Sequence, residues 1–283
     1  MIELADGVFV ETRFSGGNCG AIVTDRGAVL VDTPMFPSEG AEWQAQLSAM
    51  AIPRIHAIVN TDYHPEHMLG NQVFMPTTVF GHEESDKPLS RYDDATLAEL
   101  AGEWASNNPA LASSLAAIRP VRPEVSISDR LSLHLGQAEI QILYLEGHTP
   151  ASLGVYIPER RILFAGDNIT NNEHPVAQHA NSLAWLETLL RIKEMDVDVI
   201  VPGSGAPGGK EMIDPLYQYL AEMRRRILEL FAQGASRREC VEKVGMLDAF
   251  PVAKGQESEI KLRRRHSIER LYTEIRVAMR KRH

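Results

Sequence analysis

Apolar and polar residues alternate along the first part of the chain, and this alternation predicts an antiparallel set of short β-strands. The pattern covers residues 7–11, 19–24 and 28–32. Apolar residues at helical spacing then predict an α-helix over residues 38–50. Residues 55–59, apolar except for His56, follow and predict a buried strand.

The middle of the chain changes from a strand pattern to a helical one. Residues 83–130 have helical spacing interrupted by proline-rich breaks, and the helical spacing is clearest over 95–104 and 111–118. We expect this region to form a helical cap over a site. Strand patterns then return with one helix among them. The predicted strands are residues 131–135, 140–145, 154–156, 162–165 and 197–201, and the predicted helix is residues 182–194.

Beyond residue 209 the pattern is helical throughout, with helices predicted over 217–231, 236–244 and 258–280. We therefore expect one α/β domain over residues 1–208 and a C-terminal helical appendage over residues 209–283. Its apolar stripe is expected to pack on its own domain, and a homodimer through these helices is the alternative. The stripe consists of Leu216, Leu220, Met223, Ile227 and Leu230.

Composition narrows the class of protein. The 283 residues are 44% hydrophobic, which is enough to bury a sizeable core, and the net charge of −9 provides no basic surface for nucleic acid. Cys19 and Cys240 are far apart, so neither a disulfide framework nor a thiolate zinc site is predicted. No signal-peptide pattern and no apolar run of roughly 20 residues is present. We expect a cytoplasmic protein without a membrane partner.

Candidate chemistry lies directly after the strand predicted at residues 55–59. The segment contains Asp62, His64, Glu66 and His67, which are four potential metal ligands within six residues. Imidazoles and carboxylates are ordinary ligands of divalent metals, and a turn lets side chains at alternating positions converge. A lone histidine is usually structural, but this density of histidines and acids predicts a metal site.

Three later strands also end in polar residues. His148 follows the strand predicted at 140–145, Asp167 follows 162–165, and Ser204 follows 197–201. Taken singly, His148 is equally well explained as a capping residue and Asp167 as a turn residue. Because side chains at strand ends can share one rim of a sheet, we expect them to line the same site as the earlier cluster.

The order of these segments resembles the metallo-β-lactamase superfamily, whose pattern is HxHxDH, then a distant His, then Asp, then His. The flanking Asn-Thr, Gly-Asn, Gly-His-Thr-Pro, Ala-Gly-Asp and Pro-Gly-x-Gly sequences are similar as well. The resemblance implies an αββα sandwich that hydrolyses a small molecule. It also implies a first metal site at Asp62, His64 and His148, a second at Glu66 and His67, and Asp167 as the bridge between them.

Three positions depart from that pattern. Asp62 stands where the family has His, Glu66 where it has Asp, and Ser204 where it has the last His ligand. Because neutral Ser204 is a poor ligand, the second site is the weakened one. Three carboxylates and a bridging hydroxide would also offset the charge of two divalent ions, so we expect weaker Lewis acidity and an activity profile shifted to alkaline pH.

The resulting hypothesis is hydrolysis of an ester, thioester, lactone or lactam by attack of a metal-bound hydroxide. Asp167 would orient the hydroxide, with Glu66 as the second catalytic carboxylate. One or two divalent ions are expected, with zinc first and manganese or iron as alternatives. Two other functions stay open: a mononuclear non-haem iron enzyme of oxygen or sulfur chemistry at Asp62, His64 and His148, and a non-catalytic relative that binds a ligand.

Other polar residues are candidates for supporting roles. Asp32 could accept a hydrogen bond from a ligand histidine and fix its tautomer. Ser204 could bond a water at the vacant ligand position. His82, His174 and His179 could replace the missing ligand or contact substrate, although a packing role is favoured for each. His174 is the first choice among them, because the resemblance puts its loop at the mouth of the site.

Overall fold

A computed structural model of the chain describes residues 1–105, 109, 114 and 118–280, and its strands form two sheets. The first sheet has the order β1 to β7, in which the β4–β5, β5–β6 and β6–β7 pairs are parallel. The second has the order β12-β11-β10-β9-β8, in which only β11 and β12 are parallel. The first sheet consists of β1 (Ile2–Ala5), β2 (Val8–Glu11), β3 (Cys19–Thr24), β4 (Gly27–Val31), β5 (Ile55–Val59), β6 (Thr78–His82) and β7 (Val125–Ile127). The second consists of β8 (Arg130–Leu135), β9 (Ala138–Tyr144), β10 (Leu153–Ile157), β11 (Ile162–Gly166) and β12 (Val199–Pro202).

The two sheets pack face to face through one apolar layer. Because side chains alternate between the faces of a strand, Val29 and Val31 of β4 point toward the second sheet, and Ile140 and Ile142 of β9 meet the layer from the other side. These side chains are at most 2% exposed. Because one face of each strand packs in this layer, apolar residues recur at every second position of these strands.

A helix covers the outer face of each sheet, so the expected αββα sandwich is confirmed. Helix α1 (Pro37–Ala49) places Trp43 and Leu47 against the outward residues of the first sheet. On the second sheet, α5 (Ser182–Glu194) buries Trp185 and Leu189. The α-helices described between them in the chain include α2 (Pro65–Met68), α3 (Asp86–Leu89) and α4 (Asp94–Ala105).

The C-terminal segment is helical, as expected. It contains α6 (Ile213–Ala232), α7 (Arg237–Lys243) and α8 (Glu257–Arg280). The predicted stripe on α6 packs in the same apolar cluster as α5 and the inner face of α8, so it is covered by its own chain. The homodimer through these helices stays a prediction. No helix in the described part of the chain is long and apolar enough to span a bilayer.

The structure corrects the sequence-based assignment in the region of residues 83–130. Strand β7 lies inside it, where only helix was predicted. A three-residue edge strand with a single buried side chain, Ile127, has too little pattern to be read. Strands β1 and β6 were also not predicted. Helix α4 matches the predicted helix, whereas the helix predicted over residues 111–118 lies almost entirely outside the described residues.

Candidate metal centre

The cluster is assembled where strands of both sheets end. Asp62 and His64 follow β5, His148 follows β9 and Asp167 follows β11. Two glycines allow these ends to approach one another. Gly166 has φ +54°, and a Cβ on it would lie 2.7 Å from Thr61 Oγ1, while a Cβ on Gly203 would lie 1.7 Å from Asp167 Oδ1. Any side chain at either position would therefore displace the cluster.

Asp62, His64 and His148 present three donor atoms to one point. Asp62 Oδ2 lies 3.3 Å from His64 Nδ1 and 3.6 Å from His148 Nε2, and the two imidazole nitrogens are 3.2 Å apart. Tetrahedral bonds of about 2.0–2.1 Å place neighbouring ligand atoms about 3.3–3.4 Å apart. The spacing therefore fits three ligands of one divalent ion. The Asp62 carboxylate is held in place because its Oδ1 accepts a hydrogen bond from the His64 backbone amide at 2.7 Å.

Asp167 lies between this group and His67. One carboxylate oxygen, Oδ2, is 3.5 Å from His148 Nε2, and the other, Oδ1, is 3.6 Å from His67 Nε2. Glu66 belongs to a second possible ligand group with His64 and Asp167, in which the donor atoms lie within 4.8 Å of one another. Asp167 thus has one carboxylate oxygen toward His148 and the other toward His67, as a residue shared by two ions would.

The His67 ring is fixed by Asp32. His67 Nδ1 lies 2.9 Å from Asp32 Oδ2, and the same carboxylate accepts hydrogen bonds from the Thr61 amide and hydroxyl at 2.7 Å each. A carboxylate bonded to Nδ1 selects the tautomer whose Nε2 has a free lone pair. That Nε2 is buried and has no hydrogen-bond partner among the described residues, and it points at Asp167 and Asp62. A buried nitrogen without a partner fits a metal ligand.

The electrostatics of the cluster favour a cation. Burial acts to raise the pKa of both Asp62 and Asp167. The neighbouring His64 and His67 nevertheless lower the pKa of Asp62 well below its usual range, and His67 lowers the pKa of Asp167 to about 2. Burial acts to lower the pKa of His64, but the Asp62 carboxylate raises it to about 9. The negative potential that retains a proton on this imidazole would equally attract a divalent ion.

Two predicted supporting residues lie elsewhere. The Ser204 hydroxyl donates to Glu173 Oε2 at 3.0 Å, and Ser204 belongs to neither possible ligand group of the described residues. His174 does not lie at the mouth of the site, where the resemblance put its loop. Its Nδ1 lies 3.4 Å from the Tyr219 hydroxyl and its Nε2 lies 3.3 Å from the Leu247 carbonyl, so it has the packing role. It is 5% exposed, since this part of its loop packs against Tyr219 and Leu247 of the C-terminal segment.

His179 contacts the cluster directly, although a packing role was favoured for it from the sequence. Its Nδ1 lies 2.8 Å from His64 Nε2, and the two ring centroids are 5.0 Å apart. Partial burial, together with the neighbouring His64 and His148, lowers the pKa of His179. No motif surrounds it, and the contact joins residues 115 apart in the chain, so the sequence carried no signal that distinguished it from His174.

Comparison with known proteins gives one consistent fold. The sequence profile of the metallo-beta-lactamase superfamily matches residues 12–204. A linear primary-alkylsulfatase from Pseudomonas sp. (strain ATCC 19151) is 21% identical over 270 residues, covering 79% of this chain and 49% of that protein. The human acyl-coenzyme A thioesterase MBLAC2 is 23% identical over 236 residues, covering 75% of this chain and 82% of the thioesterase. The chain thus spans about half the length of the alkylsulfatase.

Solved structures extend the similarity to the C-terminal helices. The stereoselective inverting sec-alkylsulfatase Pisa1 from Pseudomonas sp. superposes with a TM-score of 0.72 at 18% identity, covering 96% of this chain and 49% of Pisa1. A metallo-beta-lactamase from Pontibacter korlensis superposes with a TM-score of 0.60 at 19% identity, covering 78% of this chain and 97% of the lactamase. At these identities the superpositions establish the fold alone.

Proposed function

Because the chain belongs to the metallo-beta-lactamase superfamily, we propose that it is a metal-dependent hydrolase of an ester, thioester, lactone or lactam. One observation carries the proposal. Six candidate ligands converge at the strand ends with donor atoms 3.2–3.6 Å apart in the first group, and His67 Nε2 is buried there without a partner among the described residues. The six are Asp62, His64, Glu66, His67, His148 and Asp167.

In this proposal Asp62, His64 and His148 would hold the first ion, Glu66 and His67 would hold the second, and Asp167 would lie between them. A divalent ion, with zinc as the first candidate and manganese or iron as alternatives, would lower the pKa of a water and polarise the substrate carbonyl. The Asp167 carboxylate, with one oxygen toward His148 and the other toward His67, would accept a hydrogen bond from the attacking water and so orient it.

Residues around the ligands hold them in register. The Asn168 side chain accepts a hydrogen bond from the His148 amide at 2.9 Å and donates to the Leu145 carbonyl at 2.6 Å, so it fixes the loop after β9. Tyr63 lies between the candidate ligands Asp62 and His64 in the chain. It belongs to an apolar cluster with Phe36, from the loop between β4 and α1, and Leu89 of α3. These side chains are buried, so the cluster supports the turn that carries the ligands.

The direct test is the loss of hydrolysis when single ligands are removed. His64→Ala and Asp167→Ala should each abolish hydrolysis of a responsive substrate while the fold is retained, as measured by circular dichroism. His134→Ala is the matched control, because His134 is an exposed histidine of β8 far from the strand ends that form the cluster. Unchanged hydrolysis in either ligand variant would contradict the proposal.

A second candidate is hydrolysis of an alkyl sulfate ester. It is supported by the alkylsulfatase superposition, which covers 96% of this chain and so includes the C-terminal helices, against 78% for the lactamase. Assays with matched chains separate the two candidates: release of sulfate from an alkyl sulfate supports the second, and cleavage of the corresponding acyl ester or thioester supports the first.

A further inference from the structure

We infer that the C-terminal helix α8 positions His179, and that His179 in turn fixes the metal-facing tautomer of His64. The inference rests on the proposed function, since it concerns a ligand of the proposed metal site. It assigns the helical appendage a role in the metal centre, although α8 contributes none of the six candidate ligands.

His64 needs a hydrogen-bond acceptor at its outer nitrogen. Its Nδ1 faces Asp62 Oδ2 at 3.3 Å and His148 Nε2 at 3.2 Å, so Nδ1 is the nitrogen that would bind the ion. A neutral imidazole that ligates through Nδ1 carries its proton on Nε2. His179 Nδ1, 2.8 Å from that Nε2, accepts this proton in a hydrogen bond. His179 therefore does for His64 what Asp32 does for His67.

The backbone around His179 has no regular structure to hold it. The segment from residue 167 to residue 181 connects β11 to α5, and His179 lies near its end with a side chain that is only partly buried. Without anchors, a loop of this length would sample many conformations, and the 2.8 Å contact would be maintained only part of the time. The position of His179 must therefore be set by contacts outside the loop.

Helix α8 supplies several of these anchors from one face, beside the bond from the Asn181 amide to the Gly147 carbonyl. Arg270 Nε donates to the Ala180 carbonyl at 2.7 Å, immediately after His179. Ser267 Oγ accepts from the Ala177 amide at 3.0 Å, and it is buried. Glu274 accepts from the Ser182 amide at 3.2 Å. Residues 267, 270 and 274 have the spacing of one helix face, so a single rigid helix holds the loop on both sides of His179.

Two variants of His179 separate a positioning role from mere filling of space. His179→Leu removes the acceptor, whereas His179→Asn keeps an oxygen near the place of Nδ1. Zinc affinity, measured by competition with a chromophoric chelator, should fall about 10- to 100-fold in His179→Leu. In His179→Asn it should stay close to the wild-type value. An unchanged affinity in His179→Leu, or an equal loss in both variants, would overturn the role of His179.

The role of α8 is tested with Arg270→Met, which removes the bond to the Ala180 carbonyl. Arg265→Met is the matched control, because Arg265 lies on an exposed part of the same helix and pairs with Glu269 one turn away. Arg270→Met should weaken zinc binding several-fold, and the control should not. In the His179→Leu background, Arg270→Met should cause no further loss, since the helix acts through His179.

The outcomes distinguish this inference from the proposed function. Tight zinc binding by the wild type and by His179→Leu contradicts the inference alone. Equal losses from Arg270→Met with and without His179 contradict the role of α8. A wild-type chain that binds no divalent metal contradicts the proposed function, and with it the inference.

Discussion

His67 Nδ1 and Asp32 Oδ2 lie 2.9 Å apart, and this contact directs the other nitrogen of His67 into the candidate metal centre. Asp32 closes β4, and its backbone has φ +59°, a conformation that few residues other than glycine adopt. The pair joins the residue that follows β4 to the ligand-bearing turn that follows β5. A carboxylate that holds a ligand histidine from behind is a common feature of metal sites in proteins.

The first prediction concerns this contact. Asp32→Asn keeps the size of the side chain but replaces one of the two oxygens that accept hydrogen bonds from Thr61 and His67. We expect zinc affinity to fall about 10- to 100-fold. Equilibrium competition with a chelator measures this loss. Asp25→Asn, in the exposed turn between β3 and β4, is the control and should leave affinity unchanged. An affinity in Asp32→Asn equal to that of the wild type would show that the contact does not support a metal ligand.

The second prediction concerns the close approach of Gly203 to Asp167. Gly203→Ala would bring a methyl group to 1.7 Å from Asp167 Oδ1, so the carboxylate has to move. We expect loss of hydrolysis and of at least one equivalent of metal, measured by activity assay and elemental analysis. Gly102→Ala in α4 is the control, because no atom of the described residues lies within 4 Å of its added Cβ. It should stabilise the helix by up to about 1 kcal/mol. Full activity in Gly203→Ala would contradict the placement of Asp167.

The third prediction concerns pH and the charge of the centre. Asp62, Glu66 and Asp167 bring three carboxylates to the proposed site. Together with a hydroxide they would offset the charge of two divalent ions, so the net charge of the site would be near zero. The pKa of a bound water would therefore be lowered less than at a more positive site. We expect kcat/KM to rise with pH above neutrality. Asp62→His, which removes one negative charge, should move the profile toward lower pH. A wild-type rate that is already constant well below neutral pH would contradict this account.

The fourth prediction concerns stability and Glu11, a buried residue at the end of β2. Burial acts to raise its pKa, but hydrogen bonds from Arg13 lower it to about 2 from an ordinary 4.5. The folded state therefore releases this proton more readily than the unfolded state. The resulting stability is present above pH 4.5 and is lost as pH falls toward 2. Because Arg13 is 64% exposed, solvent screening reduces the effect to about 1–2 kcal/mol.

Urea unfolding of the metal-free protein at pH 5 and pH 3 measures that difference. Glu11→Gln should lose stability at pH 5 and show a smaller drop between the two pH values than the wild type. Glu159→Gln, an exposed residue between β10 and β11, should behave as the wild type does. If the drop in Glu11→Gln equals that of the wild type, another group accounts for the acid sensitivity.

The sequence predicted the parts of the fold in which pattern and burial coincide. Strand β5 and helix α5 have the predicted bounds. The strand is buried over its last three residues, next to the candidate site, and the helix has a regular apolar face. The ligand order from Asp62 to Asp167 was predictable because short motifs at strand ends carry it. Strand β7 was not predicted, since three residues with one buried side chain give no period to detect.

The supporting residues of the site were harder to predict than its ligands. His174 and His179 lie five residues apart in one loop, yet one packs under Tyr219 and the other contacts His64. Which histidine reaches the cluster depends on anchors such as Arg270, which is 90 residues away from Ala180 in the chain. Contacts of this kind are set by the packing of the C-terminal helices, and the local sequence does not encode them.

We propose that the six-residue cluster binds metal and that the metal is required for hydrolysis. Elemental analysis of the purified protein, with assays on lactone, thioester, lactam and alkyl sulfate substrates before and after chelation, tests it most directly. The account predicts one or two equivalents of zinc or manganese and hydrolysis that chelation removes and metal restores. One equivalent of iron without hydrolysis would instead indicate oxygen or sulfur chemistry. A protein without metal, or hydrolysis that is insensitive to chelation, would contradict the claim.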